Sequence, residues 1–103
     1  MRTMDKSRVL TLIAVSYQPD EIGQQVPTET RREVFCNLSS VSASEWFEAG
    51  RAGLNAEHRA TLFVHDYAGE ELAELYGVRY GIYRTYLGRN ETIELYLERK
   101  AGA

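Results

Sequence analysis

Cysteine occurs once in the 103 residues, at Cys36, so no internal disulfide can form and the fold does not depend on an oxidising compartment. Cys36 lies in an apolar run, which reads as a buried, inert thiol rather than a nucleophile. Histidine occurs twice. On one predicted strand His58 and His65 differ in parity and point to opposite faces, so they form no same-face metal pair. Asp66 and Cys36 add no recognisable ligand spacing, and neither a metal nor another cofactor is expected. Cations are not in excess: 12 Lys and Arg stand against 15 Asp and Glu, a net charge of −3. That balance argues against the concentrated basic surface that broad phosphate-backbone binding needs. No apolar run approaches membrane-spanning length, and Met1 to Arg8 is polar and charged, unlike a secretory core segment, so a cytosolic protein without membrane contact is expected. The glycines are scattered, with no Gly-rich phosphate loop ahead of a helix.

What the chain does have is alternation. Tyr80, Ile82, Arg84 and Tyr86 share one parity, Ile93, Leu95 and Leu97 form a second run, and Gly88-Arg89-Asn90 sits between them. Two such runs around a short Gly/Asn turn predict a β-hairpin with one buried and one solvated face. Upstream, Arg8–Tyr17 is a predicted strand with apolar residues on both parities at its centre, and Thr30–Val41 is a second, with Val34, Cys36 and Leu38 on its buried face. Gln18–Thr28, which holds both prolines, is predicted to be a long exposed connection, with Asp20 able to bond locally to the backbone. His58–Tyr67 is a third strand. Leu72–Tyr76 is rich in helix formers, yet the Gly77-Val78 pair fits a type II′ turn, which favours a strand. Thr92–Arg99 is the last strand, and residues 1–7 and 100–103 are expected to be flexible tails of a single domain spanning 1–103.

The strongest local signal lies between the second and third strands. Ser42 is followed three residues later by Glu45, a capping box, and Val41 and Trp46 occupy the positions of a hydrophobic staple. A helix is predicted over Ala43–Ala49, with Gly50 and Gly53 suited to stop it. The sum is a mainly β fold: a small antiparallel six-stranded β-barrel with one short helix inserted between strands 2 and 3.

No residue cluster points to catalysis. Glu70, Glu71 and Glu74 read as a solvated acidic turn, in preference to an acid/base pair that would need a cleft. Among Ser39, Ser40, Ser42 and Ser44, Ser42 is explained as a cap and none sits in a hydrolase motif. Tyr76, Tyr80, Tyr83, Tyr86 and Tyr96 crowd the C-terminal strands. They are read either as packing and interface residues or, as the alternative function, as base-stacking platforms of a small nucleic-acid-binding barrel. Glu91, Glu94 and Glu98 interleave with the nearby arginines, which favours cross-strand pairs over a phosphate track. Trp46-Phe47 either docks the helix over the barrel mouth or, with Arg51 one turn on, anchors a neighbouring subunit.

The order of these segments resembles the head-closure (stopper, or head–tail adaptor) proteins of long-tailed bacteriophages. The residues that carry the resemblance are Val41-Ser42-Ala43-Ser44-Glu45-Trp46-Phe47-Glu48-Ala49, His58-Arg59-Ala60-Thr61-Leu62, and Tyr76-Gly77 with Tyr80-Gly81-Ile82-Tyr83-Arg84 and Ile93-Glu94-Leu95-Tyr96-Leu97. The resemblance implies a non-enzymatic subunit that assembles into a ring, beneath the portal–adaptor ring of a DNA-filled head, and docks tail-completion proteins. It implies location in the virion, with assembly in the host cytoplasm, and packaged DNA in the channel without sequence-specific binding. The segment Ser39–Asn55 would then be the channel plug, so Ser42, Glu45, Trp46, Phe47 and Arg51 are candidate interface residues. Asp20, Glu21, Gln24 and Gln25 in the first connection are candidate contacts as well.

Overall fold

A computed structural model describes residues 8–99 of the chain. The tails at 1–7 and 100–103, expected to be flexible, lie outside the described residues. Six strands and one α-helix follow in the order β1 (Arg8–Pro19), β2 (Gln25–Ser40), α1 (Ala43–Arg51), β3 (Ala56–Phe63), β4 (Leu72–Leu75), β5 (Val78–Leu87) and β6 (Thr92–Arg99), with one 3₁₀ turn at Val64–Asp66 after β3. All strand pairs are antiparallel, and they close into a ring in the order β1-β2-β3-β6-β5-β4.

The inward parity of these strands builds the core. Leu10 and Leu12 of β1, Val34 and Cys36 of β2, Ala60 and Leu62 of β3, and Ile93, Leu95 and Leu97 of β6 pack into one buried cluster with Ala73, Leu75 and Tyr80. The alternation of apolar residues in the sequence therefore does set which face goes inside. Cys36 belongs to this core, and burial pushes its thiol up to about 11, out of reach of thiolate chemistry at neutral pH.

The expected six-stranded barrel is corrected to a ring with a long arm. β1 and β2 pair over twelve residues each, but β4 covers β1 only at Thr11–Ile13, and β3 covers β2 only at Asn37–Ser40. Beyond that short band the hairpin runs on alone, and the molecule measures 56 × 31 × 23 Å. From Ala14 to Glu33 every residue on both faces is exposed, so no second layer of this chain covers the hairpin there. The long connection expected over Gln18–Thr28 is in fact a tight turn between these strands. Asp20 closes it, its carboxylate accepting the backbone N–H of Ile22 at 3.0 Å and of Gln24 at 2.8 Å, while Gly23 takes φ +86°.

Other local expectations are adjusted in the same way. β3 ends at Phe63, so His65 sits in the 3₁₀ turn rather than on a strand with His58. Leu72–Leu75 is a strand, but Tyr76 (φ 54°) and Gly77 (φ 77°) are both left-handed central residues, which is the type I′ pattern rather than II′. β5 carries a register shift between Ile82 and Arg84, leaving Tyr83 out of the pairing.

Glu70 is not part of a solvated acidic turn. It is 8% exposed, and its carboxylate accepts from Arg32 at 2.7 Å and from the Ala68 backbone N–H at 2.9 Å, while its carbonyl accepts the Tyr67 hydroxyl. Burial alone would raise its pKa, but Arg32 and the Ala68 N–H override that and hold it below the ordinary 4.5. The folded-state value is the lower one, so the stability this carboxylate contributes is present above the unfolded pKa and lost as pH falls through the folded pKa. Glu70→Ala is expected to cost about 2 kcal/mol at neutral pH, because it leaves the Ala68 N–H without its acceptor. Urea unfolding of parent and variant at neutral and acid pH checks this: the difference should shrink in acid.

Candidate interaction surface

The helix expected from its cap is present and slightly longer than predicted, Ala43–Arg51 instead of Ala43–Ala49. Ser42 caps it, its hydroxyl accepting the Glu45 backbone N–H at 3.1 Å. Its far end is a Schellman closure: Leu54 N–H donates to the Ala49 carbonyl, Gly53 N–H to that of Gly50, and Gly53 holds φ +81°. Both ends are thus fixed by local chemistry.

The capping box is only half formed, because the Glu45 side chain works elsewhere. It leaves the helix and accepts from the Tyr83 hydroxyl at 2.7 Å and from the Arg84 guanidinium at 2.6 Å, both on β5. Arg84 also stacks over the Tyr96 ring, 4.2 Å from its centroid. Burial and the bond to Glu45 push the Tyr83 phenol upward, so it stays protonated and donates across any physiological pH. The bulge at Tyr83 is what lets two consecutive β5 residues meet one carboxylate. This contact, together with buried Ala49, holds α1 to the ring. Glu45→Ala is expected to lower stability by about 1–2 kcal/mol, with Glu45→Gln in between because Gln still accepts from Tyr83. Backbone amide exchange across α1 should quicken in the alanine variant and checks the effect.

With Glu45 turned to the ring, Trp46 and Phe47 face outward. They are 53% and 62% exposed and stack edge to face on each other, centroids 5.2 Å apart at 79°. Docking of these rings over the ring's mouth, one of the two readings of the sequence, is therefore not what the helix does. Arg51 is exposed and pairs with Glu48 at 3.5 Å. The other candidate contacts, Asp20, Glu21, Gln24 and Gln25, form the tip of the arm about the exposed Ile22. The two groups of predicted contacts sit on separate joining segments, one between β1 and β2 and the other between β2 and β3. Tyr17 and Val26 add exposed apolar surface to the arm.

One arrangement had no local signal in the sequence. At the base of the arm, Arg31 of β2 bonds Glu74 of β4, and Glu29 of β2 bonds Arg79 of β5 at 2.9 Å, with Arg31 also 3.4 Å from Glu29. Beside it, an open groove of about 540 Å³ runs along β1, between Ile13, Ala14, Val15 and Tyr17 on one side and Ala68–Leu72 on the other. Of the five C-terminal tyrosines, Tyr80 and Tyr96 are buried and Tyr83 is engaged with Glu45, so only Tyr76 and Tyr86 present open rings. Among the described residues no group of three or more His, Cys, Asp or Glu side chains is placed to hold a metal ion, and no helix is long and apolar enough to cross a membrane. No protein-family model matches this chain, and no curated protein matches it.

Proposed function

We propose that the chain is a non-catalytic, ring-forming subunit of a phage head-to-tail connector, which closes the DNA-filled head and docks the tail. The observation that carries this reading is Trp46-Phe47, an aromatic pair displayed to solvent on a helix that is itself capped at both ends and tethered to the ring. Displayed aromatics on a rigid support are what an anchoring surface needs. The order of segments that resembles the head-closure proteins supports the same reading. In it, the Ser42–Arg51 segment and the arm tip at Asp20–Gln25 are the surfaces that meet neighbouring subunits, the portal–adaptor ring and tail-completion proteins. The net charge of −3 suits a channel through which a duplex slides without sticking, since like charges repel. The subunit then resides in the virion after assembly in the host cytoplasm.

The test is electron microscopy of the protein mixed with a portal–adaptor complex. An added ring of density at the adaptor's free end is the expected result. Absence of that density at every protein concentration removes the reading.

A further inference from the structure

We infer that the β1–β2 arm is an assembly strand: the free backbone edge of β1 at Val15 and Tyr17 takes the free edge of β2 from a second copy of this chain. The inference rests on the ring-forming reading above and names the contact that would build the ring.

The argument starts from hydrogen-bond direction. In an antiparallel ladder, alternate residues turn both their N–H and C=O toward the partner strand, and the residues between turn both away. Three observations fix which is which here. Asp20 N–H bonds the Gln24 carbonyl, so the bonded pairs fall on even-numbered β1 residues. Pro19 and Pro27, which have no N–H to give, stand at the intervening positions. The ladder with β4 begins and ends at Thr11 and Ile13, also at those positions, as it must if they turn their backbone groups toward β4. It follows that Val15 and Tyr17 direct both backbone groups away from β2, and that Glu29, Arg31 and Glu33 do so on the opposite edge. Among the described residues no strand pairs with either set, because β4 stops at Ile13 and β3 stops at Asn37.

An unpaired edge invites a strand unless it is protected. The β1 edge from Ala14 to Pro19 carries no charge, and it opens onto the groove beside Ala68–Leu72, in line with where β4 ends. The occupant is a second β2, because this chain itself carries both open edges, one on β1 and one on β2. Arms set side by side by rotation place each β2 antiparallel to the next β1, so closing the ring pairs every edge, while a two-fold pairing of β1 with β1 leaves both β2 edges open. A stagger that sets Tyr17 against Glu29 and Val15 against Arg31 avoids Pro27 and completes the exchange of bonds.

The experiment uses the full chain. Sedimentation velocity is run up to millimolar concentration, with amide exchange measured at each state. Assemblies larger than a dimer are expected, in which the Val15, Tyr17, Glu29 and Arg31 amides exchange at least about 100-fold more slowly than in the monomer. Val15→Pro removes an outward N–H and spares the hairpin ladder, so it should stay monomeric. Val15→Lys, which places a charge on the edge, guards against a folding defect in the proline variant and should behave likewise. Assemblies in which those amides stay unprotected, or which Val15→Pro and Val15→Lys form as readily as the parent, overturn this contact and leave the ring reading standing on another. A species that stops at a dimer with only Val15 and Tyr17 protected overturns the pairing with β2 in favour of two-fold pairing. A chain that remains monomeric throughout overturns strand addition, and ring formation is then judged by the portal–adaptor experiment alone.

Discussion

Replacing Trp46 and Phe47 together by alanine is expected to leave the melting temperature within about 3 °C of the parent and to weaken incorporation into the connector by at least about 30-fold, equivalent to about 2 kcal/mol. The separation of the two effects follows from where the rings sit. The rings stack edge to face on each other, and each keeps more than half its surface in water, so truncation removes little burial from the folded monomer. On a partner the same rings would be desolvated, and that is where their apolar area counts. Differential scanning calorimetry and a quantitative pull-down on the portal–adaptor complex measure the two quantities separately. A loss of more than about 10 °C would show the aromatic pair to be part of the monomer's packing, and would remove it from the interface.

Leu95→Ala is expected to do the reverse. Leu95 is fully buried and lies between Ala60 of β3 and Thr85 of β5, at the centre of the band where the ring closes. Its truncation leaves a cavity between strands that are held apart by their own ladders and cannot collapse to fill it. The cost should be about 3 kcal/mol, a large part of the total for a domain of this size. The melting temperature should fall by about 12–20 °C. Leu62, equally buried and paired with Ile93, should behave alike. The exposed Phe35 of β2, 63% open to solvent, supplies the control: Phe35→Ala should be nearly silent in the same assay.

The contrast between these residues also shows how far the sequence could be read. Wherever burial is one-sided, hydrophobic period and face agree: Val34 and Cys36 on β2, and Ile93, Leu95 and Leu97 on β6, all point inward as alternation requires. The helix was legible because its start is local chemistry, a serine followed by a glutamate. The arm was not, because a polar hairpin is held by its ladder, and ladders leave no mark in a hydrophobicity pattern. Pro27 looked like part of a loop, yet it stands in β2 at a position whose N–H would have faced away from β1 in any case. Tyr83 and Arg84 lie 38 and 39 residues from Glu45, and Arg32 lies 38 from Glu70, beyond anything spacing can predict. Glu70 in particular was taken for a solvated acid because its sequence neighbours are acidic, and only Arg32 arriving from β2 makes its burial tolerable.

The ion pairs at the root of the arm have a mechanical consequence. Arg31 and Glu29 clasp β4 and β5 through Glu74 and Arg79, so the hairpin cannot swing without either breaking those bonds or dragging both strands along. A load on the tip is therefore delivered to the far side of the molecule. Because these groups are partly open to solvent, added salt screens them, and the same lever should slacken as ionic strength rises.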